Sequence, residues 1–558
     1  MLKKSESKQM KMSFVTLESL MPQEHFLRDL DRLVDFDFIY DKVADLYSNT
    51  GRPSIDPVVM IKMLLIGYIY GIDSERRLEQ EITVNIAYRW FLGIDLDERV
   101  PDHSTISQLR RRKFDGTTVF RDIFEEVVRK CIETGLVSGK LLLTDSTHIR
   151  ANARNDLREI VEVPDTPSEY MKKLVLKAYE SGLLKEYPKY DETKTKRVIK
   201  SVTDPDSGFM NRPGKPIGFH YLNHQTCDSD NGIITDVHVT PGSTTDTSQH
   251  LSRIEYQLNT YHFDTEAICA DSGYDCSEIY AAMSERGIKT YIPLGPTLTE
   301  HKSVGGKYFN NEDFNYDKDL NVYICPNNKF LKYTSYRKGR GYYFYSTRSS
   351  DCKNCPLKQK CIGTVRTTKR IERHVYTDLL LHQKSIINSP EYYYSMRLRK
   401  IWCEGNFSHQ KENHNLRRTR KRGIERVTEQ CLLSACALNL KRMVKLLKRR
   451  LLQTLYSMFF SLEQLRAEFF EDYSGFVNRI VLGHHLFLHH LHLVCLLLLF
   501  LALLLLIKTL LLLCLFLLVL FQQRYYNADD EPKILTCKLS LYAFAYLLGI
   551  IALAHFSK

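Results

Sequence analysis

Apolar and charged positions recur with helical spacing over the first quarter of the chain. A run from Val58 to Tyr70 is apolar on nearly every side, and Ser74 to Phe91 has one charged and one apolar face. The stretch from Pro101 to Phe114 begins with good N-cap residues and ends in four cations and a phenylalanine. This pattern predicts a helical domain over residues 13–135.

Beyond about residue 139 the pattern changes to short apolar strands. One run, Leu141–Asp145, ends in an acid, and a second run, Ala267–Asp271, ends in the same way. Between them, Ile217–Thr226 and Ile233–Thr240 flank a polar tip and predict a hairpin. Strands that alternate with helices after an initial hairpin predict an α/β fold with a mixed sheet flanked by helices.

Three further segments complete the predicted organisation. Residues 297–380 interrupt the strand and helix rhythm and suggest an inserted Cys-containing subdomain, after which helices resume. The predicted domains are a polar tail at 1–12, the helical domain at 13–135, a first core segment at 136–296, the insertion at 297–380, a second core segment at 381–450 and a Leu-rich tail at 451–558.

The Leu-rich tail leaves three interpretations open. Leu493–Ile507 and Leu510–Phe521 are long enough together to cross a bilayer. The low complexity and the abrupt start after Arg450 favour degenerate or out-of-frame coding appended to a catalytic region. A membrane segment or a buried helical hairpin would explain the same composition.

Charge points to a polyanionic partner. The net charge is +12, and the stretch from Arg397 to Arg426 alone holds ten basic and three acidic residues. Such a concentration favours nucleic acid over an ordinary mixed-sign surface. The candidate DNA-binding residues are Arg110, Arg111, Arg112, Lys113, Arg397, Lys400, Lys411, Arg417, Arg418, Arg420, Lys421 and Arg422.

Cysteines suggest a metal rather than disulfides. The chain has 14 cysteines without a secreted spacing pattern, and no secretory signal is evident at Met1, so we expect a reducing cytoplasm. Cys325, Cys352, Cys355 and Cys361 surround a CxxC motif within the insertion, which has little apolar core of its own. This arrangement suits structural Zn²⁺; the alternative is four free thiols at a chance spacing.

Three acids carry the candidate chemistry. Asp145 and Asp271 follow apolar strands, and a carboxylate there needs a partner that a divalent cation can supply. Glu404 lies in a basic helix. If this helix is α-helical, four residues lie within about 40° of Glu404 around the helix axis: Arg397, Lys400, Ser408 and Lys411. The alternative for Glu404 is an ordinary surface with salt bridges one or two turns apart.

These residues resemble the DDE transposases of bacterial insertion sequences. The stretches that carry the resemblance are Gly51–Pro53, Asp102–Ser107, Thr144–Thr147, Ala270–Tyr274 and Cys403–Phe407 with Lys411, and it covers residues 13–448. It implies an RNase H-like catalytic domain in which Asp145, Asp271 and Glu404 hold two Mg²⁺ or Mn²⁺ ions.

The resemblance also implies an activity. The expected reaction begins with hydrolysis at the element ends, and the freed 3′-hydroxyl then attacks double-stranded target DNA. The resemblance implies that a homodimer on paired ends catalyses both steps, in the bacterial cytoplasm. Lys411 matches a family lysine that contacts DNA, while Arg397 and Lys400 match a Tyr and Arg element of some members only in part. Two alternatives remain: a catalytically decayed, zinc-containing DNA-binding protein, and a membrane-anchored protein if the tail is genuine.

Overall fold

A computed structural model provides the fold. It describes residues 14–47, 54–165, 169–180, 193–211, 214, 216–294, 308–337 and 342–481. One compact unit ends at Gln453 and a second begins at Thr454. Gly51–Pro53 and the Leu-rich run after Leu493 lie outside the described residues. Within the described ranges no helix is long and apolar enough to cross a membrane.

The N-terminal region is helical, which confirms the prediction. Its helices are α1 Leu17–Leu20, α2 Phe26–Leu33, α3 Phe38–Val43, α4 Pro57–Ile69, α5 Glu75–Val84, α6 Ile86–Leu92, α7 His103–Leu109 and α8 Val119–Glu133. Asp56 caps α4 by accepting the amides of Val58 and Val59. A π turn, Arg110–Phe114, follows α7 directly.

A six-stranded mixed sheet forms the centre of the following region. Its segment contains β1 Leu141–Arg150, β2 Arg158–Pro164, β3 Thr195–Ser201, β4 Gly208–Met210, β5 Gly218–Asp228, β6 Ile234–Pro241, β7 Ala267–Cys269 and β8 Lys289–Tyr291, with helices α9 Glu169–Glu180, α10 Thr247–Tyr261 and α11 Ser277–Glu285. The strand order is β4-β5-β1-β7-β8, with β6 also on β5. The predicted hairpin is confirmed as β5 and β6.

Pairing along the sheet changes from antiparallel to parallel at β1. Strands β5 and β6 run antiparallel to their neighbours, whereas β7 and β8 run parallel to β1. Strands β2 and β3 form a separate antiparallel ribbon.

A second, five-stranded antiparallel sheet lies between the two segments of the main fold. It consists of β9 Asn315–Asp317, β10 Val322–Ile324, β11 Phe330–Arg337, β12 Tyr342–Ser346 and β13 Arg370–His374, and helices α12 Ser349–Lys353 and α13 Lys358–Cys361 follow β12. Its small core is built from Phe314, Tyr323, Leu331, Tyr345 and Ile371.

Helices resume after this sheet and cover the main one. They are α14 Thr377–Ile386, α15 Pro390–Arg399, a π turn at Lys400–Glu404, α16 Gly405–Asn413 and α17 Ile424–Val481. Between Val427 and Val444, α17 joins the N-terminal helices and the sheet in one hydrophobic core. Asn439 fixes it to β6 by exchanging two hydrogen bonds of 2.9 and 2.8 Å with the backbone of Ile234.

Candidate active site

Asp145 lies within β1 rather than at its end. The strand continues to Arg150 because β5 goes on pairing with it, but the parallel ladder with β7 stops at Leu143. The predicted strand end was therefore wrong. Asp145 nevertheless lies just beyond the end of the β7 ladder, where the sheet opens next to the carboxyl end of β7.

Burial determines the electrostatics of Asp145. Its side chain is 14 % exposed, and Arg399 Nη1 donates to Oδ2 at 2.6 Å while the Ser146 amide donates to Oδ1 at 2.8 Å. Burial raises the pKa of Asp145 to about 6; Arg399 opposes this rise, and the charges of Asp271 and Asp246 add to it. The site therefore holds more negative charge than one arginine neutralises.

Asp271 lies two residues after the end of β7, a strand that the sequence predicted to extend to Asp271. It begins the short 3₁₀ turn Ser272–Tyr274, and its Oδ1 accepts the Gly273 amide at 2.8 Å. A Cβ added at Gly273 would lie 2.9 Å from Asp271 Oδ1 and 3.3 Å from Asp246 Oδ2. Two carboxylates thus converge on a position that only glycine leaves open.

Asp246 is a neighbouring acid that the sequence reasoning missed. It precedes α10 but makes no capping hydrogen bond to that helix. Its Oδ1 instead accepts the Ser146 hydroxyl at 2.6 Å and lies 3.7 Å from His224 Nδ1. The signal was present, because Asp246 follows strand β6 through a short loop, much as Asp271 follows β7.

Glu404 ends the π turn between α15 and α16. The hydrogen bonds of a π turn join residues i and i+5, so the turn contains one residue more than an α turn. The residues after it therefore point in a different direction around the helix axis than they would in a regular α-helix. Arg399 and Glu404 stand five positions apart across this turn, and Lys411 stands two α turns after Glu404. Arg399, Glu404 and Lys411 therefore share one side of the helix.

That side of the helix faces β1. Arg399 reaches Asp145, and Lys411 Nζ donates to Thr147 Oγ1 at 2.6 Å; Asp145 and Thr147 lie on one face of the strand. Glu404 is exposed between the two contacts. The α-helical stripe expected from the sequence, with Arg397 and Lys400 beside Glu404, is replaced by one that contains Arg399.

The donor set suits a hard divalent cation, since Asp145, Asp271 and Glu404 offer carboxylate oxygens alone. Among the described residues, the three-residue group whose ligand atoms lie within 4.8 Å of one another is a different one, Glu79, Asp102 and His103.

That group lies in the N-terminal helices, and its polar atoms are already engaged in local hydrogen bonds. The His103 ring and amide bond to Glu79 Oε2 at 2.7 and 3.0 Å, and Asp102 caps α7 through the Ser104 amide. The oxygens of Asp145, Asp271 and Glu404 are less tightly gathered than this group, so binding of a cation at the sheet edge requires them to close.

The four cysteines of the predicted zinc site line one cavity. Cys325, Cys352, Cys355 and Cys361 surround it together with Lys329, Lys358 and Lys369. Burial raises the pKa of Cys361 to about 11, Lys369 opposes the rise, and the other three thiols increase it. Among the described residues, no three of these sulfurs lie within 4.8 Å of one another.

Local hydrogen bonds already orient three of the sulfurs, including Cys355 Sγ, which accepts from Asn327 Nδ2 at 3.5 Å. The Lys329 amide donates to Cys325 Sγ at 3.2 Å, within a tight turn in which Asn328 has a φ of 54°. Thr347 Oγ1 lies 3.1 Å from Cys352 Sγ.

Apart from Lys411, which contacts Thr147, the predicted DNA-binding cations divide into two groups. Arg110 and Lys421 are buried in ion pairs with Glu429, at 3.5 and 2.6 Å, and Arg110 also pairs with Glu75 at 2.6 Å. Lys113 donates to the Leu46 carbonyl. Of these three cations, Arg110 joins the N-terminal helices to α17 through Glu429, Lys421 pairs with Glu429 from within the later segment, and Lys113 makes a contact inside the N-terminal region. The exposed cations are Arg111, Arg112, Arg397, Lys400, Arg417, Arg418, Arg420 and Arg422.

Two family models match the chain. The Transposase domain (DUF772) matches residues 15–112, which include α1 to α7. The Transposase DDE domain matches residues 324–444, which include Glu404 and the helices that cover the sheet. No curated protein sequence matches significantly.

Solved structures show only distant likeness. The piggyBac transposase synaptic complex with hairpin DNA is 10% identical at a TM-score of 0.25, covering 75% of this chain and 81% of that one. The Mos1 transposase paired-end complex with left transposon end is 8% identical at a TM-score of 0.14, covering 45% and 64%. The Mos1 mariner paired end complex with Mn is 11% identical at 0.14, covering 49% and 68%. At these TM-scores the likeness supports no conclusion about this chain.

Proposed function

We propose that this chain is a DDE transposase that cuts element ends and joins them to target DNA at a divalent-cation centre formed by Asp145, Asp271 and Glu404. The observation that carries this proposal is the meeting of Asp145 and Asp271 at one sheet edge, with Arg399, Glu404 and Lys411 on the helix side that faces β1. The strand order β4-β5-β1-β7-β8 supports an RNase H-like catalytic domain.

The residues of the proposed site have different roles. The three carboxylates would hold Mg²⁺ or Mn²⁺, which when bound lowers the pKa of water and stabilises the entering and leaving phosphate oxygens. Arg399 holds Asp145 in place through their 2.6 Å ion pair. Lys411, on the same helix side, positions a DNA phosphate beside β1 by its charge.

Exposed cations extend this surface to double-stranded DNA. Arg111, Arg112, Arg397, Lys400, Arg418 and Arg422 supply charge for phosphates, and Arg417 and Arg420 remain available because exposed pairs with Glu412 and Asp73 are weak. We assign DNA-end binding and assembly to residues 13–135, catalysis to 136–296 with 381–450, and action on paired ends to a homodimer.

The proposal also includes structural Zn²⁺ in the insertion. The four thiols around one cavity supply the ligand set of a structural zinc site, and the Lys329 amide bond to Cys325 Sγ stabilises a thiolate. Zinc would draw the sulfurs together and strengthen a sheet whose apolar core is small.

DNA cleavage tests the catalytic proposal. The purified chain is incubated with element-end DNA and Mg²⁺ or Mn²⁺, beside Asp145→Asn, Asp271→Asn and Glu404→Gln. We expect the parent to nick the DNA and each variant to lose at least about 100-fold in rate, since each removes a cation ligand. Full activity in a variant would remove that residue from the site; DNA binding without cleavage by the parent would indicate a decayed DNA-binding protein.

Metal analysis tests the zinc proposal. We expect one zinc per chain in the parent and none in the Cys352→Ser/Cys355→Ser double variant. Cys276→Ser is the matched control, because Cys276 lies outside the cavity, on the turn before α11. A parent without zinc, purified in the absence of chelators, would contradict this site.

A further inference from the structure

Asp246 directly precedes helix α10, but its side chain does not cap that helix. An aspartate directly before a helix ordinarily accepts the first free amides, and the loss of such a cap costs about 1 kcal/mol. Asp246 accepts no α10 amide in this way. Its carboxylate is directed instead towards the main sheet, where Oδ1 accepts the Ser146 hydroxyl at 2.6 Å.

One hydrogen-bonded link and one close approach connect Asp246 with the proposed cation ligands. Ser146 directly follows Asp145, and its amide donates to Asp145 Oδ1 at 2.8 Å. Gly273 lies between Asp246 and Asp271, because a Cβ there would be 3.3 Å from Asp246 Oδ2 and 2.9 Å from Asp271 Oδ1. Asp246 therefore lies close to both aspartates, and Ser146 links it to Asp145 by hydrogen bonds.

A buried tyrosine lies beside the same carboxylates. Tyr274 is 1% exposed, and its hydroxyl lies close to Ser146, the residue that links Asp246 with Asp145. The charges of Asp246, Asp145 and Asp271 all act on this hydroxyl, which places the three carboxylates around one buried polar group.

We infer that Asp246 is a positioning residue of the acidic centre, which orients Asp145 and Asp271 through Ser146 and Gly273 and strengthens their hold on a divalent cation. This inference rests on the proposed cation centre. Asp246 adds negative charge that draws the cation to the sheet edge, while the Ser146 hydroxyl keeps its carboxylate oriented. Supporting groups of this kind typically change metal affinity by about 10- to 100-fold.

Mn²⁺ binding to the full chain, measured by electron paramagnetic resonance without DNA, tests the inference. We expect Asp246→Asn, which retains an oxygen for the Ser146 hydroxyl, to weaken Mn²⁺ binding by about tenfold or more. Ser146→Ala should weaken it as well. The Mg²⁺ concentration for half-maximal cleavage should rise in parallel.

Asp228→Asn is the matched control. Asp228 is buried in the same sheet at the far end of β1, opposite Leu142, and accepts the Gly139 amide at 2.9 Å. This substitution should lower the thermal midpoint and leave Mn²⁺ affinity unchanged. Unchanged affinity in Asp246→Asn, with a parent that binds Mn²⁺, would overturn the role of Asp246 alone. A parent that binds no Mn²⁺ would overturn the cation centre itself.

Discussion

At the scale of single residues, the site depends on charges that are unequally compensated. Asp145 is buried and has one arginine partner, whereas Glu404 is exposed. The sequence indicates Asp145 and Asp271 because an acid after an apolar strand needs a partner. Arg399 could not be identified in this way, since its pairing joins residues 254 positions apart.

Gly273→Ala tests the spacing of the carboxylates. The added methyl would lie 2.9 Å from Asp271 Oδ1, closer than real Cβ contacts, so the Asp271 side chain must move. We expect cleavage to fall by at least about tenfold, as a shift of about 1 Å at a reacting centre can cost 100-fold. Thermal unfolding should change little, because the carboxylates are at the open edge of the sheet.

Gly405→Ala serves as the control for the same exchange. Gly405 is helical, and a Cβ there would meet nothing within 4 Å. This variant should retain the parent rate and be slightly more stable, because alanine favours the helix. Equal rates for Gly273→Ala and Gly405→Ala would contradict the proposed crowding at Asp271.

At the scale of elements, the π turn Lys400–Glu404 determines which side chains face the sheet. Uniform α-helical winding groups Glu404 with Arg397 and Lys400, but the turn brings Arg399 to that side. The basic composition of this helix is evident from sequence. Which of its side chains face the sheet is not evident from sequence, because the extra residue of a π turn has no reliable sequence signal and depends on packing against β1.

Deletion of Ile401 tests the π turn. Ile401 is 49% exposed, so its removal should shorten the turn to α-helical winding without opening the core. Glu404 would then rotate by about one residue, or 100°, relative to Arg399. We expect folded protein by circular dichroism and at least about 100-fold slower cleavage. Ile401→Ala, which keeps the residue count, should cleave at the parent rate; similar rates for both would contradict the importance of the turn.

At the scale of the whole molecule, helix α17 joins the N-terminal helices to the sheet. Its residues Val427 to Val444 are shared between both in one core, and Glu429 pairs with Arg110 and Lys421. Cations that the sequence assigned to DNA therefore include members of a buried network. Composition could not separate the two groups, because burial of a cation depends on distant acids such as Glu429.

Truncation tests how much of α17 the core needs. A chain that ends at Gln453 retains Arg450, which donates to the Thr134 and Gly135 carbonyls, each at 2.9 Å. We expect it to keep the cooperative unfolding transition and the cleavage rate of the full chain. A chain that ends at Leu438 loses Asn439 and the buried Met443 and Val444, and should fail to fold. Loss of folding in the longer chain would show that the core needs residues after Gln453.

The sequence by itself indicated the helical and strand regions and Asp145, Asp271 and Glu404 as candidate cation ligands, and it carried the resemblance that the two family models confirm. These depend on local periodicity and on short motifs. Only the tertiary structure decided that β1 continues past Asp145, that Arg399 pairs with it and that Asp246 adjoins Asp271. The reason is physical: each of these features results from pairing or packing between segments far apart in the chain.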